Sequence, residues 1–197
     1  LVSRVKRILE NRQYQNHLEE MVASQVAEMT RMQDEVITGI ANLIESRDGS
    51  TGLHVKNTQN YVQILTKALR EKGMYPDILD HNYELNTEKA SVLHDIGKMA
   101  IGNEILEKPG RLTDEEFSKM KNHAGYTYMI LSEVEDFEEI RDWAALHHEK
   151  LDGSGYPFGK TAEELNEPER ILACVDIYQA SVSYTHLRAH ETSLHLV

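Results

Sequence analysis

From about Ile8 to Arg47 the chain contains no proline and a single glycine, Gly39. That run predicts one helix of about 60 Å at 1.5 Å per residue. Along it Leu18, Val22, Met29, Met32, Val36 and Leu43 follow alternating steps of three and four, with a gap at Gln25 and Gly39 at the step between Val36 and Leu43. Such spacing makes a coiled-coil seam and predicts a parallel dimerising or signal-relaying helix; the competing expectation is a helix laid on its own domain. Past the turn-rich "RDGSTG" at Arg47 to Gly52 the pattern becomes globular. His54, Thr58, Tyr61, Leu65 and Ala68 share one helical face, which "KGMYP", Lys72 to Pro76, brings to a close. Asn86 and Thr87 are placed to cap a short helix through "EKASVLHDIG" that Gly97 stops. Thr113 and Glu116 have the spacing of a capping box ahead of a helix carrying Phe117, Met120, Ala124 and Leu131. Further helices are expected from near Phe137 to Glu149 and from Pro168 to Ala180, with proline tolerated in the first turn. No stretch alternates strictly, so the predicted fold class is all-α: a helical bundle preceded by a long coiled-coil-like helix.

Composition narrows what such a bundle can do. The 197 residues are enough for one sizeable core with an appendage. The single cysteine, Cys174, rules out a disulfide framework and is expected to pack in the core of "ILACVDIY". No apolar run approaches a membrane span, and "LVSRVKRILENR" lacks a signal-peptide core, so a cytoplasmic location is expected. Thirty-three acids against 21 bases give a net charge of −12, which argues against a duplex nucleic-acid partner. A phosphate-bearing ligand would then need a strong local positive source.

The histidines offer one. Of ten, His54, His94, His123, His147 and His148 fall at or near the predicted buried stripes, with Asp95 beside His94. Asp176 lies among Ile171, Leu172, Val175 and Ile177, where a carboxylate is costly unless paired or metal-bound. Five imidazoles and two carboxylates on five helices suit two first-row divalent ions inside a bundle, with a shared carboxylate. Next to His147 and His148 stands "EKLDGSGYPFG", in which Gly153 and Gly155 permit backbone angles other residues avoid and Pro157 stiffens the loop.

"VLHDIGKMAIGNEILEKPGRLTDEEFSKMKNHA", with "HHEKLDGSGYP" and "RILACVDIYQA" downstream, resembles the HD-GYP family of metal-dependent phosphodiesterases over roughly Glu45 to Ala180. The resemblance implies that His54, His94, Asp95 and Asp176 hold one ion and that Asp95, His123, His147 and His148 hold the other, with Asp95 bridging. It implies Lys98 as the residue that meets substrate phosphate and cyclic di-GMP as the substrate; the ligand count predicts two metal ions, iron or manganese. Gly153, Gly155, Tyr156 and Pro157 would form the loop at the mouth of the site. Two ions less two carboxylates leave about +2 in the pocket, and coordination lowers the pKa of water toward 7 for in-line attack on phosphorus. Some members add a third ion through a glutamate four residues before the first ligand histidine; Ser50 stands there, which favours two. Thr127 replaces a family glycine and Gly102 stands where proline is frequent, neither with an evident chemical role.

The ends depart further. "VSYTHLRAHETSLHLV" resembles a translated sequencing adapter in place of the family's basic segment after the last metal aspartate, so His186 and His190, four apart, are not expected to form a metal pair. The amino-terminal stretch resembles the linker behind a response-regulator receiver domain. The expected organisation is a signalling helix over 1–46, the metallophosphohydrolase domain over 47–181 and a non-native tail over 182–197, truncated from a parent with a receiver upstream and dimeric through the helix. Two other functions stay open: a catalytically impaired regulatory module, which the truncation would favour, and an HD phosphohydrolase acting on another nucleotide.

Overall fold

The computed structural model describes residues 2–48, 53–75 and 81–187. Among these the chain forms α-helices and short 3-10 turns and no strand, with one isolated bridge between Asp152 and Thr161, so the all-α expectation holds. Two compact units are distinguished, Leu1–Ile37 and Thr38–Val197.

The first unit is carried by α1 (Val2–Glu45), about 66 Å of continuous helix at 1.5 Å per residue. Leu18, Val22, Met29, Met32, Val36 and Leu43 are all exposed, so the stripe read from the sequence is uncovered in the single chain. Burial on α1 is confined to its last turns, at Ala41, Ile44 and Glu45. A 3-10 turn, Ser46–Asp48, follows.

The second unit is a bundle. Helix α2 (Leu53–Glu71) packs against α3 (His81–Leu93) and α7 (Glu167–Leu187), while α5 (Asp114–Ser132) packs against α6 (Glu138–Ala145) and the 3-10 turn Ile96–Ala100; α4 is the short Asn103–Leu106. Val55, Val62, Ala90, Leu93, Trp143, Leu146 and Leu172 supply buried apolar surface. A smaller cluster of Ile101, Ile105 and Leu106 is sealed by Leu112, Met120 and Tyr126.

Several local expectations change. The buried positions of α2 are Val55, Thr58, Val62 and Thr66, a face rotated by about one residue from His54–Tyr61–Leu65, which leaves His54 half-buried at the edge. Helix α3 starts before Asn86, so Thr87 is no cap: it lies buried in mid-helix and its hydroxyl donates to the Tyr83 carbonyl, a bond that Thr makes readily inside helices. Gly97 does not terminate α3, which ends at Leu93; it sits inside the 3-10 turn, where a Cβ would collide with the backbone of His123 and Thr127. The capping box is present, with the Glu116 amide donating to Thr113 Oγ1 and the Thr113 amide donating to Glu116 Oε2, but Phe117 is exposed. Helix α6 stops at Ala145, so His147 and His148 follow it in a turn. Cys174 is exposed, not core: α7 buries Ile171, Leu172 and Val175, and position 174 falls on the opposite face with Ile177 and Tyr178. Pro76, Ser50, His190 and most of the suspect tail lie outside the described residues.

Candidate metal centre

Five segments bring the seven metal-type residues together. His54 comes from the start of α2, His94 and Asp95 from the turn after α3, His123 from mid-α5, His147 and His148 from the turn after α6, and Asp176 from α7. Donor atoms of His123, His147 and His148 lie within 4.8 Å of one another, as do those of His54, His94 and Asp176, and those of His94, Asp95 and His147. Asp95 stands between the first two groups. Its Oδ2 is 3.3 Å from His94 Nε2 and its Oδ1 is 3.3 Å from His123 Nε2, one oxygen turned to each side.

How the imidazoles are aimed decides whether they can accept a cation. His94 Nδ1 lies 2.8 Å from the Ser91 carbonyl, His123 Nδ1 2.8 Å from the Met120 carbonyl and His147 Nδ1 2.6 Å from the Ala144 carbonyl, each three residues earlier in the chain. His54 Nδ1 meets Gln179 Oε1 from α7. Because a carbonyl oxygen can only accept, each Nδ1 carries a proton and each Nε2 faces inward, where it offers a lone pair whenever the ring is neutral. Nε2 of His123 and of His147 are buried without a hydrogen-bond partner. A buried imidazole tautomer fixed by its outer nitrogen, with its inner one unsatisfied, is the arrangement metal-ligating histidines use, so the residues fit divalent cations.

The electrostatics divide the site. At His147 and His148 burial disfavours the proton and neighbouring imidazoles add to it, holding His147 well below the ordinary range and His148 down to about 4. Burial likewise lowers His123. At His94 burial acts the same way but is outweighed by Asp95 and Asp176, which push it up to about 9. Burial would raise Asp95, yet the Lys98 ammonium, 2.8 Å away, and His94 hold it well below the usual carboxylate range. One half of the cluster is thus neutral imidazoles, and the other pairs the carboxyl groups of Asp95 and Asp176 with the His94 ring and the Lys98 ammonium.

The glycine loop is built against this cluster by a residue whose role the sequence did not disclose. Glu149 is buried, and its carboxylate accepts the amides of Phe158 at 2.6 Å, Gly159 at 3.0 Å and Lys160 at 3.0 Å. Gly153 has φ 77, the left-handed region, as expected of it. Gly155 is required for a different reason, since a Cβ there would overlap the backbone of His148, Glu149 and Lys150. Pro157 follows Tyr156 through a cis peptide bond, and Tyr156 stacks against His148 with ring centroids 4.7 Å apart.

Three further residues escaped the sequence reading. Thr127 Oγ1 donates to the His94 carbonyl at 2.9 Å and accepts from the Gly97 amide at 3.0 Å, tying the His-Asp turn to α5. Gln179 orients His54. Glu45, the last residue of α1, is 1% exposed and places Oε1 3.5 Å from His54 Nε2. For Gln179 and Glu45 no spacing signal existed, because their partners are distant in sequence.

A sequence-family model described as "HD domain" matches residues 17–195. A Vibrio cholerae protein named "Probable cyclic di-GMP phosphodiesterase" is 36% identical over 97% of this chain and 47% of its own length. The Xanthomonas campestris "Cyclic di-GMP phosphodiesterase response regulator RpfG" is 33% identical over 84% of this chain and 42% of its own. A Vibrio cholerae "3'3'-cGAMP-specific phosphodiesterase 3" is 32% identical over 74% of this chain and 30% of its own. The chain spans about half or less of the length of these curated relatives. With the family match covering most of the sequence and the His-Asp turn seated at the centre of the cluster, this chain belongs to the HD domain family, in its HD-GYP group.

Proposed function

We propose that this chain hydrolyses a phosphodiester bond of cyclic di-GMP at a two-metal centre. The observation that carries the reading is the division of donors around Asp95, whose two oxygens face opposite ligand groups. His54, His94, Asp95 and Asp176 would hold one divalent ion and Asp95, His123, His147 and His148 the other, iron or manganese suiting this mixture of imidazole and carboxylate. Bound there, the ions supply Lewis-acid charge to the phosphoryl oxygens and an acidified water as nucleophile.

The chain's own residues do the rest. Lys98, partly exposed beside Asp95, is placed to donate to a phosphoryl oxygen as charge develops on it. The anchored imidazoles keep their Nε2 atoms inward, which spares reorganisation when substrate binds. Tyr156 on the Glu149-held loop covers His148 and gives a guanine base an aromatic surface at the mouth.

Among the described residues no helix is long and apolar enough to cross a membrane, and the acidic surface charge disfavours duplex nucleic acid. The reading places the chain in the cytoplasm as the output of a two-component protein with a receiver upstream; the words "response regulator" in the name of the Xanthomonas relative support the signalling part of it. The exposed α1 stripe supports a parallel homodimer. A non-catalytic module is disfavoured because all seven metal-type residues are present and converge.

The test is turnover of cyclic di-GMP by the chain loaded with Mn(II) or Fe(II), alongside 3'3'-cGAMP and a chelated control. Metal-dependent cleavage of cyclic di-GMP in preference to 3'3'-cGAMP is expected. Absence of cleavage at full loading would remove the reading, and preference for 3'3'-cGAMP would replace the substrate.

A further inference from the structure

Donors bound to one ion at about 2.1 Å lie about 3.0 to 3.4 Å apart at octahedral to tetrahedral angles. Around His54 Nε2 the spacings are close to that: 3.5 Å to His94 Nε2, 3.6 Å to Asp176 Oδ1 and 3.5 Å to Glu45 Oε1. Glu45 therefore stands as near to the histidine lone pair as the two residues already assigned to that ion. Donor atoms of Glu45, His54 and Asp95 also lie within 4.8 Å of one another, a grouping that overlaps the first ligand set at two residues.

Position and burial fit the same role. Glu45 is seated by the packed last turn of α1, beside Ala41 and Ile44, and its side chain is 2% exposed. Two residues on, Arg47 donates to the Met99 and Ile101 carbonyls at 3.3 and 3.2 Å and to Asn103 Oδ1 at 2.5 Å, which clamps the end of α1 to the segment that carries Lys98. The carboxylate is thus held on a short, fixed lever.

We infer that Glu45 is a further carboxylate ligand of the ion held by His54, His94, Asp95 and Asp176, which makes the last residue of the long amino-terminal helix a direct part of the metal site. The inference rests on the two-metal reading above. Its physical consequence is that a rotation of the last turn of α1 changes the donor set of one ion and leaves the other ion's three histidines untouched.

Mn(II) affinity and stoichiometry should be measured by chelator competition on the wild-type chain, Glu45→Gln and Glu45→Asp, with melting curves of the metal-free and loaded forms. Expected are two ions on the wild type and, in Glu45→Gln, one ion weakened at least tenfold with the other unchanged. Metal-free Glu45→Gln should melt no lower than the wild type, because a buried carboxylate has been removed from the neighbourhood of two others, yet it should gain less on loading. Glu45→Asp, which keeps the charge but shortens the reach, should fall between. Equal affinity for both ions in wild type and Glu45→Gln would overturn the inference and leave the two-metal reading standing. So would a metal-free melting loss with both ions weakened alike, which marks a packing role. A wild-type chain that takes up no ion overturns both.

Discussion

Thr127 and His94 are joined by a hydrogen bond of 2.9 Å from the threonine hydroxyl to the histidine carbonyl, 33 residues apart in sequence. The same hydroxyl accepts from the Gly97 amide, so one side chain on α5 satisfies two buried backbone groups of the turn that presents His94 and Asp95. Thr127→Val keeps the shape and deletes both bonds. It should destabilise the chain by about 2 to 4 kcal/mol, since each orphaned buried group costs about 1 to 3 kcal/mol. Urea unfolding reads this directly; a change below half a kcal/mol would show that the turn is held by its packing alone.

Glu149 gives a second handle. Glu149→Gln leaves one acceptor oxygen and turns an amide toward the remaining N–H donors. The loss of charge-assisted bonds to Phe158, Gly159 and Lys160 should amount to about 2 to 3 kcal/mol of local stability. Hydrogen exchange at those three amides should accelerate roughly thirtyfold or more while amides of α3 hold their protection. Uniform acceleration through the bundle would mean that the loop is not a separable unit.

Removal of ligands should act by site. His94→Ala and His147→Ala each delete one inward Nε2, so each purified variant should carry at least one ion fewer than the wild type by elemental analysis. Unchanged occupancy in both variants would defeat the two-metal assignment.

The pH dependence follows from opposed shifts. His148 titrates at about 4 in the folded chain against 6.5 for the free imidazole, so between those values the unfolded chain binds a proton that the folded chain refuses. Stability is full above pH 6.5 and lost as pH falls toward 4, by roughly 3 kcal/mol from this ring, with His123 and His147 acting in the same direction. His94, at about 9, works the other way: it adds stability below 6.5 and loses it as pH rises through 9. In the chelated chain, melting temperature should drop between pH 6.5 and 4, and His148→Asn should flatten that drop. In the loaded chain, protons compete with metal over the same window. Metal retained undiminished at pH 4 would count against a histidine-rich site.

The α1 stripe predicts self-association. Glutamate at both Met29 and Val36 should convert dimers to monomers in sedimentation, and a wild-type chain already monomeric at high micromolar concentration removes the parallel-dimer reading.

What the sequence made legible was the part of the molecule whose chemistry is carried by residue type. Histidines and aspartates spread over five segments announce a candidate metal cluster, and the Thr113 to Glu116 spacing announces its capping box. Residues whose meaning depends on a distant partner were hidden. Glu45 at the end of a polar helix resembles any solvated acid, Gln179 reads as a surface amide, and Thr127 shows no evident chemical role, because nothing local tells that their partners lie 9, 125 and 33 residues away. Cys174 was misplaced for the opposite reason: apolar neighbours in sequence alternate faces around α7, so company along the chain did not mean company in the core.

The three imidazoles that lean on carbonyls three residues behind them are aimed by their own short segments. The direction of each lone pair travels with a four-residue stretch of chain, whatever packs on its far side. A substitution that loosens the packing between segments is therefore expected to shift where the Nε2 atoms converge before it changes where each one points.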